Sequence, residues 1–117
     1  MTGYRLTGHW DRRGGAWILA LSGQLNDLTE PLFEQILARY QVDGLPVVLD
    51  ASGLEHVSSI GYSLWLQLAS RVEAAGGAFT VAAAPPQVSR PLSMVFGDHI
   101  PQVSTVEAAL GTPRRTA

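Results

Sequence analysis

Pro46-Val47-Val48-Leu49-Asp50 is a nearly continuous apolar run, and Ser52-Gly53 follows close behind it. A strand with no polar alternation needs cover on both faces, which places it at the centre of a partly parallel sheet with helices packed against it. Ser52-Gly53 predicts a turn out of the strand. In Val57-Ser58-Ser59-Ile60-Gly61 a serine then precedes an apolar periodicity, the mark of a helix start. That helix carries Ile60, Leu64, Leu68 and Val72 on one face, and Gly76-Gly77 ends it. A buried strand running into an amphipathic helix decides for an α/β fold.

Working outward, Tyr4 to Trp10 and Ala16 to Ser22 lean towards strand, and Asp11-Arg12-Arg13-Gly14-Gly15 joins them as a hairpin link. Asn26 or Asp27 can cap a helix bearing Leu28, Leu32, Ile36 and Leu37 on one face, with Glu30-Pro31 in its first turn and an end near Tyr40. Downstream, Phe79 to Ala83 reads as a strand. Ala84-Pro85-Pro86 turns the chain into a helix over Val88 to Phe96, and Pro91 argues for a start as late as Ser89 or Arg90. Ile100 to Val103 reads as an edge strand, and Ser104 or Thr105 as the cap of a last helix through Leu110. The expectation is one domain over residues 1–111 with a tail at 112–117. It is a mixed, mostly parallel sheet of about five strands with about four helices, joined by right-handed crossovers.

Composition narrows the function classes. The chain of 117 residues is 46% apolar, enough for one core without metals or disulfides. It has no cysteine, which excludes a thiolate metal site and a disulfide framework. Net charge is -2 and lysine is absent, so no electrostatic footprint for nucleic acid exists. Arg5, Arg12, Arg13, Arg114 and Arg115 read as solubilising charge near the ends. Met1-Thr2-Gly3-Tyr4-Arg5 lacks the apolar run of a signal peptide, and no stretch approaches the roughly 20 residues that span a bilayer. A cytoplasmic protein with no direct membrane insertion is expected. His9, His56 and His99 are too scattered for a zinc site, and no phosphate-binding glycine loop or nucleophile elbow is present. We therefore expect neither catalysis, nor a cofactor, nor a metal.

Four stretches, in order, resemble the STAS family, which includes the anti-sigma factor antagonists. They are Leu19-Ala20-Leu21-Ser22-Gly23-Gln24-Leu25-Asn26, then Val47 to Leu54, then Val57-Ser58-Ser59-Ile60-Gly61, and Ser104-Thr105-Val106-Glu107-Ala108-Ala109-Leu110. The resemblance implies the STAS fold. It also implies a binding module that switches partners between an anti-sigma factor and other proteins. The family signature at this helix start is Asp-Ser-Ser/Thr-Gly, whose first serine is the phosphoacceptor. Aligned on Gly61, it places Ser58 on the aspartate, Ser59 on the acceptor and Ile60 on the second hydroxyl residue. Gln24 and Asn26 stand where the family tends to carry acids.

The implied site is therefore Ser59 as phosphoacceptor, with Asn26, Ser58, Ser59, Ile60, Gly61 and Tyr62 facing the partner. That partner would be an anti-sigma factor or a serine/threonine kinase of the anti-sigma type, with a serine phosphatase to reset the switch. Phosphate at a helix N-terminus faces free N–H groups, so modification should act on binding rather than on folding. From the residues alone, a serine before an apolar helix is simply an N-cap, the role expected of Ser58. Trp65 is offset from the apolar stripe by one position, and can lie at the core edge or form an exposed aromatic patch with Tyr62. A second implied reading is an unphosphorylated STAS scaffold, as in bacterial lipid-transport ABC complexes.

Overall fold

The structure, a computed structural model, describes residues 4–41 and 43–111. The elements run β1 (Leu6–Arg13), β2 (Ala16–Leu25), α1 (Glu30–Leu37), β3 (Val47–Val57), α2 (Ser59–Ala74), β4 (Phe79–Ala82), α3 (Pro86–Phe96), β5 (Gln102–Val103) and α4 (Val106–Gly111), with a 3-10 turn at Gly97–His99. One sheet of five strands has the order β1-β2-β3-β4-β5. β1 pairs antiparallel with β2, and every other neighbouring pair is parallel. β3 lies in the middle, as its apolar run requires.

Its alternate residues explain the continuous apolar run. Val47 and Leu49 belong to the main core with α1, α2 and α3, through residues such as Phe33, Trp65, Leu68 and Leu92. Val48 faces the other way, into a smaller cluster with Ile18, Ala82 and Val106 of α4. Three helices thus cover one face of the sheet, and α4 covers part of the opposite face.

Several boundaries differ from the sequence expectation, each for a local reason. β1 continues to Arg13 opposite Ala16, so the hairpin loop is only Gly14-Gly15. Both glycines have positive φ, 59° and 76°, the condition for the primed turns that match strand twist. Ser52-Gly53 is not a turn, because β3 passes through it to Val57 with a register irregularity against β2. A Cβ on Gly53 would run into the Ser22 side chain and come within 2.9 Å of the Leu21 carbonyl oxygen, so this glycine permits close strand approach.

α1 begins at Glu30, after a turn that spends Leu28 outside the helix, and Leu28 is 66% exposed. Phe33 and Ile36 set the buried face, leaving Leu32 on the exposed flank. α3 starts at Pro86, earlier than expected, with Pro91 inside it. The bond lost at Pro91 would have gone to the carbonyl of Gln87, an exposed residue, where water can replace it. β5 is shortened to Gln102–Val103, and Thr105 rather than Ser104 caps α4 by accepting from Ala108 N–H at 2.9 Å.

Arg12 is no frayed charge: its guanidinium lies over the Trp17 ring, 4.8 Å from the centroid. Arg114 and Arg115 fall outside the described residues. Among the described residues no helix is long and apolar enough to cross a membrane.

Candidate functional site

The parallel strands β2 and β3 end side by side, at Leu25 and Val57. The chain leaves each of them into a helix, α1 or α2. Ligand sites in open parallel sheets gather at this carboxyl end. Here the two exits are tied together, since Ser58 N–H donates to the Leu25 carbonyl at 2.9 Å. Asn26 follows Leu25 directly, so the sheet brings Asn26 to the start of α2 although the two lie far apart in sequence.

Each exit is closed by a side chain. Asn26 Oδ1 accepts from Leu28 N–H at 2.9 Å and Thr29 N–H at 3.1 Å, and Thr29 Oγ1 accepts from Asn26 N–H at 3.0 Å. This reciprocal turn starts α1 and leaves Asn26 buried. Ser58 has the extended backbone of an N-cap, and its Oγ accepts from Gly61 N–H at 3.4 Å. The capping role expected of Ser58 is therefore present, and the neighbouring Ser59 hydroxyl, which makes no cap bond, is left exposed.

Beneath Ser59 the first turn of α2 is tightly seated. A Cβ on Gly61 would lie 2.7 Å from Val57 Cγ1 and 2.9 Å from Leu25 Cγ. The close approach at Gly61 thus comes from the strand ends of this chain. Gly61→Ala should therefore lift α2 off the sheet and destabilise the fold by about 1–3 kcal/mol, the usual range for overpacking. Urea denaturation checks it, and an unchanged midpoint would mean that Val57 and Leu25 yield without strain.

Ile60 and Tyr62 exchange the positions that helical spacing suggested. Ile60 is 42% exposed and projects from the apolar stripe, whereas Tyr62 is only 4% exposed. The Tyr62 hydroxyl donates to the Val88 carbonyl of α3 at 2.8 Å, and burial pushes its pKa above the ordinary phenol value. Its ring meets Trp65 edge-on at 5.7 Å. Trp65 is 0% exposed, so neither the exposed aromatic patch nor the core-edge position holds. Asn26, Gly61 and Tyr62, expected to face a partner, are thus buried, and of the expected set Ser59 and Ile60 are the exposed members.

A shallow cleft of about 350 Å³ adjoins that surface, lined by Glu30, Ser59, Ile60, Ser63, Leu64 and Gln67. Sequence reasoning passed over Glu30, Ser63 and Gln67. The signal was present in the polar stripe Ser59, Ser63, Gln67, one position every four residues on α2. Glu30 becomes part of it only through the packing of α1 beside α2. Among the described residues, no three His, Cys, Asp or Glu side chains come together as a metal ligand set.

A family model described as STAS domain matches residues 10–109. The chain belongs to the STAS domain family. No curated protein matches the sequence. Among solved structures, an anti-sigma factor antagonist from Mycobacterium paratuberculosis is similar over 91% of this chain and 92% of its own, with 27% identity and a TM-score of 0.75. An anti-sigma-factor antagonist (STAS) domain protein from Planctomyces limnophilus covers 88% and 93%, with 20% identity and a TM-score of 0.74. The murine Solute Carrier 26 family member A9 anion transporter shares the fold over 92% of this chain but only 22% of its own, at 18% identity and a TM-score of 0.73. The STAS fold therefore occurs both as a small module and as part of a transporter.

Proposed function

We propose that this STAS domain is a partner-switching regulator of the anti-sigma antagonist type. It works by binding rather than catalysis, and its docking surface is the start of α2. The partner is an anti-sigma factor or a serine/threonine kinase of that type, and Ser59 is the phosphoacceptor. One observation carries the reading: the Ser59 hydroxyl is exposed in the first turn of a helix whose cap is already supplied by Ser58. A kinase can reach that oxygen without dismantling the fold. The transferred phosphoryl group would sit at the positive end of the α2 dipole, where an anion is tolerated. It would add roughly -1.5 to -2 charge to a neutral hydroxyl surface. A serine phosphatase would restore the binding form.

The similarity to the Mycobacterium paratuberculosis antagonist supports this reading over most of both chains. Gln24 and Asn26 have structural roles here, and for Gln24 the role requires an amide, because a glutamate would repel Glu55. Gln24 Nε2 donates to Glu55 at 2.6 Å, and Asn26 starts α1.

The test begins with affinity capture from the source cell, followed by incubation of the chain with the captured kinase and ATP. A mass increase of one phosphoryl group at Ser59 is expected, lost in Ser59→Ala and retained in Ser58→Ala. Modification confined to Ser58 would overturn the assignment. Capture of a transporter ATPase with no phosphorylation would replace the switch by the scaffold reading.

A further inference from the structure

We propose that the cleft between α1 and α2 receives a basic side chain from the bound partner, with Glu30 as its counter-charge. This rests on the reading of the α2 start as the docking surface. Of the six residues that line the cleft, Glu30 is the one that ionises. Among the described residues no Arg or His side chain pairs with its carboxylate. Ser59, Ser63 and Gln67 line the same cleft from the α2 side and add hydroxyl and amide groups. A guanidinium presents several donors in a planar fork, which suits a cleft that offers one carboxylate together with neutral hydroxyl and amide acceptors. Ile60 and Leu64 supply the apolar wall along which the alkyl stem of arginine or lysine lies.

The same arrangement gives the modification at Ser59 a physical consequence. One cation balances one carboxylate, so the contact is neutral as built. A phosphate on Ser59 in the same cleft would set roughly -1.5 to -2 charge beside the Glu30 carboxylate, repelling it, and would fill the space that the basic side chain enters. Unpaired charge desolvated in an interface opposes binding. Glu30 thus sets the specificity for a cationic partner, and a phosphate at Ser59 competes with that partner for the cleft.

The probe is a tetra-arginine peptide titrated into the full chain and followed by backbone amide NMR. Saturable shifts are expected at Glu30, Ser59, Ser63 and Gln67, with affinity falling about two- to fivefold in Glu30→Gln. Glu107→Gln, which removes a carboxylate on α4, should leave the titration unchanged. Equal weakening by both variants would reduce the effect to net charge and overturn the proposal. Shifts centred elsewhere would do the same. With the captured partner, Glu30→Arg should lose binding while Glu107→Arg keeps it. If both retain the partner, the cleft proposal fails and the regulatory reading stands. If the peptide binds at Glu30 but no partner uses the α2 start, the cleft stands and the regulatory reading fails.

Discussion

Ser59→Asp is expected to melt within about 1 kcal/mol of the parent chain and yet to lose its partner. The two halves of this outcome have different causes. Ser59 is exposed in the first turn of α2, and its side chain has no part in the cap made by Ser58. A carboxylate there meets the helix dipole favourably, an effect of a few tenths to 1 kcal/mol, and nearby Glu30 offsets part of it. Folding therefore barely notices. Binding does, because a carboxylate desolvated against a surface fitted to a hydroxyl can cost several kcal/mol, enough to turn a micromolar contact into an undetectable one. Thermal melting and calorimetric titration against the captured partner read the two effects separately. Affinity retained in Ser59→Asp would remove Ser59 from the contact surface, and the phospho-switch with it.

The second large effect is on stability. Trp65→Ala should cost about 3–5 kcal/mol, the range for emptying a buried aromatic site. Small domains have only about 5–15 kcal/mol in total, so the variant should stand near its unfolding threshold at ordinary temperature. Trp65 is fully buried and packs edge-on against Tyr62, and among the described residues its Nε1–H finds no hydrogen-bond partner. That last fact separates two variants. Trp65→Phe keeps much of the ring and discards a donor that gains nothing from burial. It should therefore cost well under half as much as Trp65→Ala. Urea denaturation followed by circular dichroism makes the comparison. If the two variants were equally damaging, the indole N–H would have to be satisfied, for instance by a buried water.

The elements that could be read from sequence are those whose cause lies within a few residues. Gly14-Gly15 makes the hairpin because both residues adopt positive φ at little cost. Ser58 caps α2 because a hydroxyl at that position reaches the N–H of Gly61. Thr105 does the same for α4 with Ala108. The apolar run of β3 announced burial on both faces, and both faces are buried.

What could not be read was decided by residues distant in sequence. Leu28 and Leu32 fit an apolar stripe, but Phe33 and Ile36 captured the buried side of α1 once Asn26 and Thr29 had moved the helix start to Glu30. Gly53 looked like a turn, and only the approach of Ser22 on β2 reveals a glycine kept small inside a strand.

The same division runs through the site. Sequence by itself determined the order of elements and the capped start of α2, since local hydrogen bonding and periodicity are written over short distances. Tertiary structure alone decided that Tyr62 and Trp65 lie inside while Ile60 lies outside. Ile60 and Tyr62 lie on nearly opposite sides of α2, about 160° apart at roughly 100° per residue, and which side is buried rests on where α3 lands and on the Tyr62 hydroxyl finding the Val88 carbonyl. It also decided that Glu30 faces Ser59, because a cleft between two helices exists only after both have packed on the same sheet.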